Sequence, residues 1–220
     1  MKGILFDIGW TLNYPASGDW MLTSKCGEFD FASVPREKTA AAFAEAADFL
    51  EKNHLIFTEE DEYERFRHFY AMLANALPEL GASDAQIDEI AYDRTYNDAN
   101  YIFYDDVYSE LERLAGKYKL GIISDTWPSA KRILKSAGVY DFFHSFTLSC
   151  ELGVYKPHSR MYEHAVTNMR LPPKEMLFID DCADNLYAAQ AHGIQTGLIC
   201  RSNNPRKQNY SKMITTLTEL

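Results

Sequence analysis

Two apolar runs that end in carboxylates restrict the fold of this chain more than any other feature. The run 4–6 is followed by Asp7, and the run 176–179 is followed by Asp180 and Asp181. Short apolar runs of this kind are typical of strands buried in a parallel sheet. Because the carboxyl ends of parallel strands meet at one ligand crevice, we expect the three acids to lie close together.

The expected convergence of Asp7, Asp180 and Asp181 points to a metal. Three neighbouring carboxylates repel one another and resist ionisation unless a cation compensates them. Mg²⁺ suits this role because it prefers oxygen ligands and is commonly held by one or two carboxylates together with water and phosphate. The sequence therefore predicts a magnesium site at the edge of a parallel sheet.

Composition excludes several classes of function. The 220 residues are 46% hydrophobic, which is ordinary for a globular protein of one large domain or one domain with an insertion. The net charge of −10 argues against nucleic acid and membrane surfaces as partners, but not against a small phosphorylated metabolite. No apolar run approaches the roughly 18 residues that span a bilayer. Four cysteines without metal or disulfide spacing favour a cytoplasmic location.

Strand and helix patterns alternate over most of the chain. The predicted strands are 2–7, 120–123, 146–148, 176–179 and 196–199, and the predicted helices among them are 106–117, 128–137, 159–168 and 184–191. Such alternation predicts an α/β fold in which a mostly parallel sheet lies between two layers of helices, a Rossmann-like three-layer core. The polar stretch 201–212 is predicted to be a surface loop.

The segment after the first strand is different, because its patterns are helical. Residues 13–34 are irregular, and stripes of apolar residues at helical spacing follow them. The predicted helices of this segment are 36–52, 59–77 and 84–97. We therefore predict an all-helical domain, residues 13–102, inserted into a core domain that consists of residues 1–12 and 103–220.

Polar residues follow the predicted core strands in a fixed order. They are Asp7, Ser124, Lys156, Asp180 and Asp181. With the flanking segments 153–157 and 178–185, this order resembles the haloacid dehalogenase-like (HAD) superfamily of aspartate-dependent hydrolases. Four motifs in the right order are a specific signal, although each alone is weak. The resemblance covers about residues 1–12 and 103–200, and it implies that the helical insertion is the superfamily's cap domain.

The resemblance implies that the acids take part in Mg²⁺-dependent phosphoryl transfer. Asp7 would be the nucleophile that forms an aspartyl-phosphate intermediate. Asp7 and Asp181, with Asp180 beside them, would hold the metal, and the backbone carbonyl of Gly9 would supply a further oxygen. A carboxylate is a weak nucleophile, so it needs in-line positioning and a metal that neutralises the phosphoryl oxygens.

The resemblance also implies residues that bind the phosphoryl group and support the site. Ser124 would donate a hydrogen bond to the phosphoryl oxygens, and Lys156 would place a positive charge between the nucleophile and the phosphate. Asn185 would orient Lys156 or the acidic pair. Thr11 would support the loop that follows the nucleophile.

Residues close to these motifs along the chain are candidates for the pocket wall. Asp125 follows Ser124 directly, and Trp10 lies in the loop after the nucleophile, so both are predicted to contact the substrate. From the helical insertion, Tyr14, Trp20 and residues near Phe57 are the candidates, because they lie near the first motif or near helix ends.

Gly9 departs from the phosphatase pattern implied by the resemblance. Phosphatases of this superfamily usually carry a second aspartate two residues after the nucleophile, where it protonates the leaving oxygen and then activates water. General acid–base catalysis of this kind contributes about 10²- to 10⁴-fold. The loss is smallest for acyl and aryl phosphates, whose leaving groups need little protonation. Another group in the protein could also take over the role.

Three functions therefore remain open. The first is a phosphatase-like hydrolase that acts on a small phosphomonoester with Mg²⁺. The second is a catalytically weak or inactive protein that binds a phosphorylated ligand or a partner. The third is hydrolysis of a phosphonate or a haloacid. A haloacid site would leave Asp180 and Asp181 uncompensated, and the cap lysines that a phosphonate hydrolase needs, Lys38 and Lys52, fit a solvated face. The first function is the expectation.

Overall fold

The computed structural model describes residues 1–205 and 210–220, so residues 206–209 of the predicted loop lie outside the described residues. Its strands are β1 (Gly3–Phe6), β2 (Asn13–Pro15), β3 (Tyr101–Phe103), β4 (Lys119–Ser124), β5 (Phe143–Leu148), β6 (Met176–Asp180), β7 (Gln195–Ile199) and β8 (Met213–Ile214). Six of them form a parallel sheet in the order β5-β4-β1-β6-β7-β8. The predicted α/β class is confirmed.

The helices lie between the strands in chain order. They are α1 (Arg36–Lys52), α2 (Glu59–Ala76), α3 (Asp84–Tyr96), α4 (Val107–Ala115), α5 (Ala130–Ser136), α6 (Ser149–Leu152), α7 (Ser159–Met169) and α8 (Ala183–Ala191). The predicted helix at 128–137 begins two residues late, because Pro128 and Ser129 form a turn. The predicted strand at 146–148 is too short, since β5 begins at Phe143. Among the described residues, none of the helices has the length and hydrophobicity needed to cross a bilayer.

Alternating side chains of the central strands fill a core on each face of the sheet. Ile4 and Phe6 of β1 pack in one cluster with Leu111 of α4. Leu5 points the other way and packs in a second cluster with Met161 of α7. Successive side chains of a strand point to opposite faces of the sheet. Helices therefore pack on both faces, which gives the predicted three-layer arrangement. The strand β1 is central, so its carboxyl end is surrounded by the ends of β4 and β6.

The helices α1, α2 and α3 pack around a separate apolar cluster. Its buried members include Ala46 and Leu50 of α1, Phe66 and Phe69 of α2, and Ile90 of α3. The three predicted helices of this segment are therefore present, and apolar residues at helical spacing bring them together.

The ribbon of β2 and β3 was not predicted. These two strands pair antiparallel, with Tyr14 opposite Ile102, although the sequence analysis placed residues 13–15 in an irregular segment. Each strand has three residues and one contains Pro15, so neither shows the alternation that identifies longer strands. The ribbon lies where the predicted boundaries between core and helical insertion fall, after residue 12 and before residue 103. The division at these positions stays a prediction.

Candidate active site

Three carboxylates converge at the carboxyl end of the sheet. The strand β1 delivers Asp7 and the adjacent strand β6 delivers Asp180, with Asp181 directly after it. One carboxylate oxygen from each lies within 4.8 Å of the others, and all three side chains are buried. The close approach of three acids is therefore a property of the fold, because β1 and β6 are neighbours in register.

Lys156 is the cation of this cluster. Its Nζ lies 2.6 Å from Asp7 Oδ1, 2.7 Å from Asp180 Oδ2 and 3.3 Å from the carbonyl oxygen of Ile123. Burial lowers the pKa of Lys156, but the charges of Asp180 and Asp7 outweigh it and raise this pKa well above its usual value. Because an ammonium has three donors and all three have partners, Lys156 holds Asp7 in a fixed orientation.

The excess of acidic over basic groups affects the pKa of Asp7. Burial raises its pKa to about 7, the positive charge of Lys156 opposes this rise, and the charges of Asp180 and Asp181 add to it. One lysine against three acids leaves two negative charges uncompensated if all of them ionise. A divalent cation would balance these charges, and the oxygen donors present are those that Mg²⁺ prefers. The residues at this site therefore fit the predicted metal.

The two acids after β6 have different surroundings. Asp180 accepts hydrogen bonds from the backbone N–H of Cys182 at 2.7 Å and from Asn185 Nδ2 at 3.1 Å, besides its pair with Lys156. Asp181 lines the cavity above the sheet, as Asp7 does, whereas Asp180 does not. Asp7 and Asp181 are thus the carboxylates best placed to hold a metal, and Asp180 orients Lys156 from behind.

Ser124 and Asp125 end the strand β4 beside this cluster. Ser124 is buried and lines the cavity, where its hydroxyl can donate to a bound anion. Asp125 also lines the cavity, and its Oδ1 accepts a hydrogen bond from the backbone N–H of Lys156 at 2.8 Å. Asp125 therefore fixes the loop that carries Lys156, in addition to any contact with substrate.

The loop after Asp7 is held in an unusual conformation. Trp10 has a φ of 54° in the left-handed region, which costs a residue other than glycine about 1–2 kcal/mol. Its ring stacks on Tyr14, with centroids 6.2 Å apart. The carbonyl oxygen of Thr11 accepts from Arg201 Nη2 at 2.9 Å, and Arg201 also pairs with Asp106 at 2.8 Å. Gly9 and Trp10 line the cavity, whereas Thr11 anchors the loop.

A cavity of about 670 Å³ lies between this cluster and the helices α1 and α3. Several aromatic side chains line it, namely Trp10, Trp20, His54, Tyr101, Trp127 and Tyr155. Among the candidates from the insertion, Tyr14 stacks on Trp10 and does not line the cavity. Near Phe57, which is itself 67% exposed, the residue on the cavity wall is His54. Trp20 does line the cavity, as expected. A volume of this size suits a small-molecule ligand.

Sequence reasoning missed His54, which precedes α2. His54 Nε2 lies 2.7 Å from Ser149 Oγ, and its ring stacks on Tyr155 with centroids 4.2 Å apart. Burial lowers the pKa of His54 to about 4, so the imidazole is neutral near pH 7. A lone histidine between two helical patterns shows no motif spacing, so only the tertiary structure could reveal its position.

A second buried acid lies where α2 meets the core. Glu62 accepts hydrogen bonds from the backbone N–H and the hydroxyl of Ser129, both at 2.8 Å, and lies 3.7 Å from Arg94 Nη1. Burial raises the pKa of Glu62 to about 7, although the charge of Arg94 and the bonds from Ser129 oppose this rise. These contacts tie the helical segment to the turn before α5.

The family of this chain is shown by its sequence. The sequence model of the family described as haloacid dehalogenase-like hydrolase matches residues 21–193. This chain belongs to the haloacid dehalogenase-like hydrolases. The resemblance inferred from the four motifs is confirmed by this match, and the chain is an enzyme of the hydrolase class.

Relatives of this HAD-like hydrolase include phosphatases and dehalogenases. A glyceraldehyde 3-phosphate phosphatase of Methanopyrus kandleri is 26% identical over 223 residues, which cover 91% of this chain and 84% of that protein. A HAD phosphatase from Thermococcus onnurineus has a similar structure, with a TM-score of 0.65, 20% identity, and coverage of 100% of this chain and 95% of that one. A 2-haloacid dehalogenase from Pseudomonas syringae has a TM-score of 0.64 and 16% identity, and the match covers 100% of this chain and 96% of that one.

One structural relative of this HAD-like hydrolase carries ligands. A HAD family enzyme from Bacteroides thetaiotaomicron, in complex with magnesium and inorganic phosphate, matches with a TM-score of 0.63 and 21% identity, covering 91% of this chain and 94% of that one. At such identities the structural matches establish the fold alone. The shared fold supports either phosphatase or dehalogenase chemistry, so the residues of the site must distinguish them.

Proposed function

We propose that this HAD-like hydrolase is a Mg²⁺-dependent phosphatase that acts on a small phosphomonoester through an aspartyl-phosphate at Asp7. The observation that carries the proposal is the excess of buried acid over buried base at the end of the sheet. Asp7, Asp180 and Asp181 face a single lysine, Lys156, within one cluster. A phosphate dianion cannot approach such a cluster without a cation, whereas Mg²⁺ binds carboxylates and phosphate together.

The residues present can perform the first step of phosphoryl transfer. Lys156 engages Oδ1 of Asp7, so Oδ2 is the oxygen that attacks phosphorus. Ser124 donates a hydrogen bond to the phosphoryl group from the end of β4. Asp7, Asp181 and the carbonyl of Gly9 would hold Mg²⁺, which would supply the positive charge that neutralises the phosphoryl oxygens. Holding nucleophile and phosphate in line in the cavity would supply much of the rate enhancement.

The partner expected for this site is a small phosphorylated metabolite. The cavity of about 670 Å³ supports this proposal, since pockets for small molecules have volumes of about 300–1,000 Å³. The relative from Methanopyrus kandleri carries the name of a phosphatase for a three-carbon phosphate. The net charge of −10 remains an argument against nucleic acid as a partner.

Gly9 favours one competing function, binding of a phosphorylated ligand without turnover. The position two residues after the nucleophile has no side chain to titrate, so neither the leaving oxygen nor the attacking water receives help there. Haloacid hydrolysis is disfavoured because it attacks carbon and needs no cation beside the three acids. The two remaining functions differ in turnover and share the binding of Mg²⁺ and phosphate.

The test is hydrolysis of p-nitrophenyl phosphate with and without Mg²⁺ by the wild type and the Asp7→Asn variant. We expect Mg²⁺-dependent turnover that Asp7→Asn reduces at least about 10³-fold, because it removes the nucleophile. The matched control is Asp141→Asn, an exposed acid far from the strand ends of the site, which should keep the wild-type rate. Circular dichroism of both variants verifies folding.

Two results would contradict the proposal in different ways. If Asp7→Asn kept the wild-type rate, Asp7 would not be the nucleophile. If folded wild type bound Mg²⁺ and inorganic phosphate in calorimetry without hydrolysing any phosphomonoester, the protein would be a binding protein. Phosphorylation of Asp7, trapped by acid quench and located by mass spectrometry, would support the aspartyl-phosphate directly.

A further inference from the structure

The space beside Gly9 is filled by an aromatic ring. A Cβ atom built at Gly9 would lie 3.1 Å from Cζ2 of Trp20, with two further ring atoms at 3.5 and 3.7 Å. A longer acidic side chain at this position would therefore have to displace the indole. The ring of Trp20 occupies the side of the nucleophile where a proton donor at position 9 would act.

Trp20 is held in this place by three neighbours. Its carbonyl oxygen accepts a hydrogen bond from Arg94 Nε at 3.0 Å. Its ring contacts Trp10 edge to face, with centroids 5.8 Å apart, and Tyr101 with centroids 6.3 Å apart. The indole is thus part of a packed wall rather than a side chain that rotates freely.

Two exposed carboxylates, Glu51 and Asp184, also line the cavity, but the side chain nearest to position 9 is Trp20. Four other titratable groups on the wall are poorly suited to replace the acid. His54 has a pKa of about 4 and is neutral near pH 7, so it carries no proton to release as imidazolium. Burial raises the pKa of both Tyr101 and Tyr155 above the usual phenol value, which makes each a weaker acid. Asp125 is engaged with the backbone of Lys156.

Without an acid at position 9, only some leaving groups can depart readily. In the first step Oδ2 of Asp7 forms a bond to phosphorus, the bond from phosphorus to the ester oxygen breaks, and its electron pair goes to the leaving oxygen. An alkoxide, whose parent alcohol is a far weaker acid than a phenol, needs a proton as it leaves. A phenoxide, whose parent ionises near pKa 10, departs as the anion and takes its proton from solvent.

The second step needs no acid at all. Water forms a bond to phosphorus, the bond from phosphorus to Asp7 breaks, and the electron pair returns to the carboxylate. The proton of the water goes to the released phosphate. A carboxylate is a good leaving group, so this step proceeds without protonation, but without a base it is slow. With an acidic leaving group, loss of phosphate from Asp7 therefore limits turnover.

The cavity wall also matches an aromatic group in shape. His54 stacks on Tyr155 with centroids 4.2 Å apart, and Trp127 meets His54 edge to face at 4.6 Å. These rings line the same cavity as Asp7 and Asp181, so they are available to contact the leaving group of a bound ester. Planar rings offer offset or edge-to-face contacts to another ring that an alkyl chain cannot use as well.

We propose that the substrate of this site is an aryl phosphomonoester, in which the phosphate is bonded to a phenol-type oxygen. This inference rests on the proposed phosphatase function. It narrows that function from small phosphomonoesters in general to those whose leaving group is both aromatic and acidic. Alkyl phosphates of polyols are the class that it excludes.

A leaving-group series with the wild-type enzyme tests the inference. The substrates are phenyl phosphates whose phenol pKa is varied by nitro, cyano, chloro and methyl groups, together with trifluoroethyl phosphate and glycerol 3-phosphate. We expect kcat/KM to fall at least about fivefold for each unit of leaving-group pKa, as in reactions without a general acid. Trifluoroethyl phosphate should lie at least about tenfold below the line of the aryl esters, because it lacks the ring.

Rapid-quench kinetics provides a second readout. With the most acidic phenols we expect a burst of phenol equal to the enzyme concentration, followed by a kcat that is the same for each of them, because loss of phosphate from Asp7 is then limiting. Two results overturn the inference: a slope of less than about twofold per pKa unit, or glycerol 3-phosphate turned over as fast as phenyl phosphate. Failure to hydrolyse any member would instead refute the proposed phosphatase function.

Discussion

Asp7 and Glu62 are both buried acids whose pKa burial raises to about 7, and each lies beside one basic side chain. Their surroundings differ. Asp7 shares its lysine with a second acid, has a third within reach, and lines a cavity. Glu62 has Arg94 and two hydrogen bonds from Ser129, and it lines no described cavity. A raised pKa is thus common to both acids, and what sets Asp7 apart is that several like charges accumulate beside it at a cavity.

The largest expected effect on activity is that of replacing Lys156, which lies in the Asp7 cluster and not near Glu62. Replacing Lys156 by Met leaves Asp7 and Asp180 without their shared cation, so we expect kcat for p-nitrophenyl phosphate to fall about 10²- to 10³-fold. Steady-state kinetics with Mg²⁺, on protein checked for folding by circular dichroism, measures the effect. A folded Lys156→Met enzyme with more than a third of the wild-type kcat would show that the cluster is structural, as the Glu62 region is.

The comparison becomes sharper if an acid is restored on the catalytic side. Gly9→Asp alone should leave hydrolysis of glycerol 3-phosphate nearly unchanged, because Trp20 occupies the space. Combined with Trp20→Ala, the same substitution should raise kcat/KM for this alkyl phosphate about tenfold or more over Trp20→Ala alone. Equal rates for the double variant and Trp20→Ala would show that the indole is not what prevents acid catalysis at position 9.

The smallest effect on activity is expected at Glu62. Glu62→Gln keeps a group of the same shape beside Ser129, so kcat should stay within about threefold of the wild-type value. The substitution should instead change the free energy of unfolding. The folded pKa of about 7 exceeds the usual 4.5, so the folded state binds more protons between these values and the wild type loses stability as pH rises through this window.

Urea unfolding of the wild type and Glu62→Gln at several pH values measures this loss. The variant resembles the protonated acid, so the difference in free energy of unfolding should shift in favour of the variant by about 3 kcal/mol between pH 4.5 and pH 8. Other titrating groups are common to both proteins and cancel in the difference. A difference that does not change with pH would mean that Glu62 titrates in the folded protein as it does in the unfolded chain.

The catalytic side was largely predictable from sequence, because its signals are local. An apolar run followed at once by an acid marks a strand end, and the sheet brings such ends together. Lys156 was found through its motif. The environment of Asp180 and the position of Trp20 over Gly9 were not predictable, because both depend on which side chains fold back onto the strand ends.

The region around Glu62 illustrates what the sequence could not reveal. Glu62 stands among four acids in the first turn of α2, where a solvated helix start is the natural expectation. Its burial follows from contact with Ser129, 67 residues later in the chain. Arg201 is similar, since it reaches the carbonyl of Thr11 across 190 residues. Contacts between residues so far apart in the chain produce no periodic pattern in the sequence.

The central position of β1 has a consequence for biosynthesis. The strand is synthesised before both of its partners, which are β4, beginning at Lys119, and β6, ending at Asp180. At about 5–20 residues per second, the apolar strand Gly3–Phe6 waits roughly 10 to 30 s for its second partner. During that time Asp7 has neither Lys156 nor the acids of β6 beside it. A complete acidic cluster therefore requires that most of the described chain has been synthesised and has folded.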